Sequence, residues 1–221
     1  MNRELFVRTL RAQRLKLAIA SLAIAAWSLF LPVIYQSFGS QMEALIESGV
    51  IPEQFTTFGG GDVFTLSGSV ALGYIHPISI ILVAIFAIGF AAAAVAGERQ
   101  RGTLEVILAR PISRRTVYVT LLVALVLFIG VLLAASIAGT VIGATVVGVA
   151  DELAIDRLPL LWLNGLLMWA AFGAIGLAAS VSFDRLTPAL GITLAVVIVS
   201  YFLEILGSLW PDAEVLQPYS L

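Results

Sequence analysis

Val117–Ala150 reads VYVTLLVALVLFIGVLLAASIAGTVIGATVVGVA, a run without one charged side chain. Apart from Tyr118, Thr120, Ser136, Thr140 and Thr145 it is hydrocarbon and glycine. About 20 such residues cross a bilayer as a helix. Water is absent from that layer, so backbone groups must pair internally, and only helices or closed barrels qualify. Barrel strands alternate apolar and polar residues, whereas this run is apolar all round, so it is helical. It exceeds one crossing. It is therefore expected to tilt, to extend beyond the bilayer, or to break near Gly139, Gly143 or Gly148.

The same reasoning applied outward predicts spans at 17–35, 77–96, 160–183 and 189–209. With 117–150 they make an all-α polytopic bundle, a single transmembrane domain over residues 1–221. A hydrophobic share of 60% against 12% charged excludes an ordinary soluble domain, in which about a quarter of residues are charged. The first run is longer than a signal core and ends without a small-residue cleavage site, so it is read as a span. The chain has no cysteine, which removes disulfides, thiolate metal sites and cysteine nucleophiles together.

Charge then orders the loops. Every Lys and Arg except Arg157 falls in residues 1–16, in 97–115 or at Arg185. Glu43, Glu47, Glu53, Asp62, Asp151, Glu152, Asp156, Asp212 and Glu214 fall in the alternate loops. Cytoplasmic loops are enriched in basic residues, so the N-terminus and 97–115 are expected in the cytoplasm. Residues 1–16 place Leu5, Phe6, Thr9, Leu10 and Gln13 on one side of a wheel, opposite Glu4, Arg8, Arg11 and Arg14. That pattern suits an interfacial helix or a basic flank anchoring the first span. Residues 36–76 form a long outer loop, with a short helix possible at 41–48. Within 77–96, Gly89, Ala93 and Gly97 recur every four residues, the spacing of a close helix-packing face.

Little here does chemistry. Gly59–Gly61 has no lysine after it, and the chain's only lysine is Lys16, so no phosphate-binding P-loop is present. The lone histidine, His76, borders the second span, and neither a zinc-protease motif nor a nucleophile elbow occurs. Glu204, near the outer end of the fifth span, reads as a carboxylate at headgroup level in preference to one that contacts substrate. The chain is not expected to be an enzyme, to bind a metal or to meet nucleic acid. A transporter built from it must take its energy from elsewhere.

The polar interval Gly97–Arg115 holds five arginines. Thr103 can cap a helix from 103 to 110 whose face carries Leu104, Ile107 and Leu108; Pro111 ends it and biases Arg110 away from helix. Such a helix could lie on the membrane or enter a partner's groove.

Glu98-Arg99-Gln100-Arg101-Gly102-Thr103-Leu104-Glu105, followed by Ala109-Arg110-Pro111-Ile112-Ser113-Arg114-Arg115, resembles the signature of ABC transporter permeases of the type-2 exporter class. The resemblance extends to the basic N-terminal helix, the outer loop with Pro52-Glu53 and Phe58-Gly59-Gly60, and Ile85 to Gly89. It is most similar to permeases that export drugs or polyketide-like antibiotics. It departs from them in having no lysine at 118–121, and a sixth helix is expected to follow the fifth.

The resemblance implies a homo- or heterodimer of permease subunits in a prokaryotic plasma membrane. Two cytoplasmic ATP-binding subunits would carry ATP and magnesium, with no cofactor in this chain. Residues 1–16 would be the elbow helix and Gly102 to Arg110 the coupling helix. Glu98, Gly102, Thr103, Leu104, Glu105, Ile107, Leu108, Arg110, Pro111 and Arg114 would form the contact with the ATPase. An exporter of a hydrophobic or amphiphilic molecule is the expected function. The other reading is a membrane anchor or assembly factor that passes ATPase motion to an outer partner.

Overall fold

A computed structural model describes residues 1–48, 65–109, 112–209 and 215. Among them no strand occurs, and five helices are long and apolar enough to cross a membrane. The protein is an all-α, polytopic membrane protein. We number its helices α1 Arg3–Glu47, α2 Leu66–Ile75, α3 Pro77–Ala92, α4 Glu98–Gln100, α5 Leu104–Leu108, α6 Arg114–Val147, α7 Leu158–Ser182 and α8 Leu186–Leu209.

The interfacial helix expected at 1–16 and the span expected at 17–35 are one unbroken helix. Asn2 starts it by accepting the Leu5 N–H at 2.9 Å, and residues 3–31 contain neither Gly nor Pro to stop it. Pro32 lies inside the helix, which still runs on to Glu47, so the possible helix at 41–48 is its far end. Leu5, Phe6 and Leu10 pack on the bundle core, as their shared side of the wheel requires. The described parts of the expected outer loop, 36–48 and 65–76, carry the end of α1 and all of α2. Thr65 caps α2 by accepting the Gly68 N–H, and His76 caps α3 by accepting the Ile78 N–H at 3.2 Å.

Of the three alternatives for the third span, a break does not occur. α6 is continuous from Arg114 and ends at Gly148, whose φ of 78° supplies the left-handed cap. Gly139 and Gly143 serve contact instead. α1 and α6 run parallel, joined at Asn2–Thr120 (2.9 Å), Ser28–Ser136 (2.6 Å) and Gln36–Val147 (2.9 Å). A β-carbon on Gly139 would overlap the Ala25 carbonyl, and one on Gly143 the Leu29 carbonyl. The two backbones approach directly, the use that membrane helices make of small residues.

The other helices close around this pair. Phe86 and Phe90 of α3 set their rings edge-to-face with Phe128 of α6, 5.6 and 5.2 Å between centroids. Trp162 of α7 donates to the Gly130 carbonyl of α6 at 2.9 Å. Ala92 and Ala96 meet Ala179 and Ala189, joining α3 to α7 and α8. The bundle thus has a basic end, which holds the start of α1, residues 98–109 and the α7–α8 turn, and an opposite end holding α2 and residues 148–157.

Candidate coupling site

At the basic end the helix of the second span runs on past Ala92. Residues Ala93–Gly97 form a single π-helical turn, and α4 continues from it. A π turn takes in one more residue than an α turn and disturbs the i→i+4 ladder. One side chain repairs it. Ser180 of α7, fully buried, donates its hydroxyl proton to the Ala92 carbonyl at 2.6 Å. The same oxygen accepts the N–H groups of Val95 and Ala96 at 3.0 and 2.9 Å.

The chain then reverses in a defined turn. Gly102 has φ of 72°; its N–H reaches the Arg99 carbonyl at 3.0 Å, and the Thr103 N–H reaches the Glu98 carbonyl at 2.9 Å. This pair of bonds around a left-handed residue is the Schellman termination. It is reinforced through Glu98, whose carboxylate takes a hydrogen bond from Thr103 Oγ1 and an ion pair from Arg101. Thr103 therefore does not cap the next helix with its side chain, as expected from its position. Its hydroxyl is directed back to Glu98, and α5 begins without a side-chain cap.

α5 is five residues long, shorter than the 103–110 expected. Leu104 packs toward the bundle core, while Glu105 and Val106 are exposed, Val106 by 66%. Arg110, Pro111 and the side chains of Ile107 and Leu108 lie outside the described residues. Ser113 caps α6 by accepting the Thr116 N–H at 3.1 Å. Arg114 is exposed on the first turn of α6, and together with Arg99, Gly102 and Glu105 it borders a groove of about 840 Å³.

The family described as "ABC-2 family transporter protein" matches residues 8–214 of this chain. The chain belongs to that family. No curated protein and no solved structure matches it. This ABC-2 protein is thus a transmembrane component of an ABC transporter, and its membership implies an ATP-binding cassette subunit as partner. Residues 98–109 are read in that light.

Inspection of the permease's sequence alone missed the residues that anchor this segment. Arg99 donates to the carbonyls of Val181 (3.4 Å) and Phe183 (3.0 Å), the exposed end of α7, and pairs with Asp184 at 3.0 Å. A cation here meets the unpaired carbonyls that every helix C-terminus leaves. The neighbouring Gln100 accepts the Leu186 N–H at 2.9 Å, capping α8. Two consecutive residues of α4 thus hold both sides of the α7–α8 turn. The turn falls between the spans expected at 160–183 and 189–209, but nothing in the spacing named Arg99 or Gln100 as its holders, or Ser180 as the partner of the π turn.

Within this subunit Gly89, Ala93 and Gly97 are not a common packing face. Beyond its own helix backbone and chain neighbours, nothing lies within 4 Å of where a Gly89 β-carbon would stand; Ala93 is half-buried, and only Gly97 is buried. The Ala91–Ala94 run offers small residues on every side, so four-residue spacing could not choose among them. Ala91, Ala92 and Ala96 are the ones that pack, Ala91 against Gly176 of α7.

Proposed function

We propose that this chain is the permease subunit of an ATP-driven exporter, acting with a second permease subunit in a prokaryotic plasma membrane. Its basic end faces the cytoplasm, where α5 enters a groove on a separate ATP-binding subunit that holds ATP and magnesium. Closure of that subunit around ATP pushes α5, and the permease pair alternates between inward- and outward-open states. Its cargo is a hydrophobic or amphiphilic molecule, of the drug or antibiotic kind. The face at Gly89, open within one subunit, is where a helix of the second subunit would approach.

The observation that carries this reading is the rigid continuity behind an exposed helix. α5 presents Glu105 and Val106, is held by a Schellman turn, and is tied through Arg99 and Gln100 to the start of α8. A push on α5 is therefore delivered to α3, α7 and α8 together rather than lost in a loop.

Glu105→Arg tests the proposal in the permease co-expressed with its ATP-binding subunit. Permease-stimulated ATP hydrolysis should fall to the rate of the ATP-binding subunit alone, with membrane insertion unchanged. Stimulation that survives would refute coupling through α5. ATP-dependent uptake of an amphiphilic dye into inverted vesicles tests export. Its absence with ATPase stimulation intact would favour an anchor that passes motion to an outer partner.

A further inference from the structure

A second feature of the basic end lies on the other side of α4 from the groove. There α1, α3, the π turn and α6 enclose a cavity of about 220 Å³, far above the 10–15 Å³ that holds one water. Its apolar wall includes Phe90, Val95 and Leu121. Its charged lining is Arg8, Lys16, Arg101 and Glu98, three cations against one carboxylate, a net of +2. Glu98 is already paired with Arg101, so the excess is carried by α1. Thr9 and Gln13 of the same helix add polar atoms.

The helix that supplies this charge changes character as it enters the membrane. Arg8, Ala12 and Lys16 share a face with Leu15, Ile19 and Leu22; at 3.6 residues per turn all six fall within about 120° of arc. Leu15, Ile19 and Leu22 are 69, 61 and 73% exposed. Lys16 to Leu22 rises about 9 Å, within the roughly 15 Å of one hydrocarbon leaflet. A cationic pocket thus opens at headgroup level at the foot of a bare apolar stripe one acyl chain could follow.

We infer that this cavity and stripe bind one anionic phospholipid of the adjoining leaflet. Its phosphodiester is held between Arg8, Lys16 and Arg101, and its acyl chains lie along Leu15, Ile19 and Leu22. A phosphate offers the acceptors that guanidinium and ammonium groups require, and the hydrocarbon tail covers the stripe. The lipid would join residues 8–16 of α1 to the end of α4, next to the Schellman turn. The site stands on the cavity and stripe, whatever α5 docks against.

Native mass spectrometry of the full chain in mild detergent tests this, with phosphatidylglycerol, phosphatidylcholine and soluble glycerol phosphate as ligands. The wild type should retain phosphatidylglycerol in preference to phosphatidylcholine by roughly tenfold, because clustered cations attract an anionic headgroup. Arg8→Ala/Lys16→Ala should lose that preference. Arg14→Ala/Arg185→Ala, which removes two charges outside the cavity, should keep it; both variants should retain wild-type helical circular dichroism. If unfolding obscures the first variant, Lys16→Gln should still lower the preference severalfold.

Preference that survives Arg8→Ala/Lys16→Ala, or is lost equally in the control, overturns the site. Displacement of the lipid by glycerol phosphate at equal concentration overturns the lipid in favour of a free phosphate. Efficient disulfide formation between copies of an Ile19→Cys variant, in a chain that has no other cysteine, would assign the stripe to a second subunit and overturn the acyl contact.

Discussion

The hydroxyl of Ser180 lies 2.6 Å from the carbonyl oxygen of Ala92, and it is the side chain through which α7 holds the π turn of the second span. The turn sits between the membrane-crossing part of that span and the segment that ends in α5. A π turn changes the direction in which every later residue points, so Ser180 helps set the aim of Glu98, Gly102 and Glu105. Ser180→Ala should leave a buried carbonyl and two buried N–H groups to find other partners, at about 1–3 kcal/mol for such losses. The expected outcome is a melting temperature several degrees lower in thermal unfolding of the purified chain. An unchanged melting temperature would show that the turn keeps its shape without the hydroxyl.

The close approach of α1 and α6 makes two glycines unequal to a third. Gly139→Ala drives a methyl into the Ala25 carbonyl, and neither backbone can yield without moving a helix. Overpacking of this kind costs about 1–3 kcal/mol. Gly89→Ala meets open space, and the helix propensity of alanine exceeds that of glycine by up to ~1 kcal/mol. Thermal unfolding of the monomeric chain in detergent should therefore show Gly139→Ala destabilised and Gly89→Ala neutral or slightly stabilised. The reverse order would contradict the packing of the α1–α6 pair.

The contrast shows where sequence reading reaches. Five spans and the charge asymmetry were visible because they depend on runs of residues: no charge from Val117 to Ala150, and eleven basic residues in three segments. The motif around Gly102 was visible only as a resemblance to the permease signature, and the left-handed turn that needs its glycine appears in the folded chain. Partner choice was not visible. Gly139 and Gly143 looked like weak points in a helix because their value lies in the backbone of α1, over a hundred residues away in sequence. Thr103 carries the right atoms for a cap, but Glu98 competes for its hydroxyl, and only the folded turn decides between them. Ser180 is one of several hydroxyls in the spans, and its role exists only beside a π turn that no periodicity announces.

Arg99 and Asp184 form an exposed ion pair, but the pair is the lesser part of the contact. Asp184 is 89% exposed, and pairs of this kind contribute about 0–1 kcal/mol. Arg99 also serves the carbonyls of Val181 and Phe183, which Asp184→Asn leaves in place. Asp184→Asn should thus change the melting temperature by about a degree or less, with little response to salt. Arg99→Ala should be more costly, with faster amide exchange at 183–186 by hydrogen–deuterium exchange. Equal effects of the two would place the contact in the ion pair alone.

Gly102 provides a sharp test of the turn before α5, because its surroundings and its backbone make opposite demands. Nothing lies within 4 Å of its missing β-carbon, so a side chain there clashes with no neighbour. Its φ of 72° is nevertheless in the left-handed region, which costs an L-residue roughly 1–2 kcal/mol and Asn less. Gly102→Val should distort the turn that holds α5 while leaving the five spans intact. Gly102→Asn should preserve it. With the ATP-binding subunit present, Gly102→Val is expected to lose most permease-stimulated ATP hydrolysis, and Gly102→Asn to retain most of it, at equal membrane insertion. Val106→Asp, on the exposed side of α5, should weaken co-purification of the two subunits without lowering the melting temperature. A Gly102→Val protein that stimulates as well as wild type would remove the turn from the coupling route, whatever Val106→Asp does.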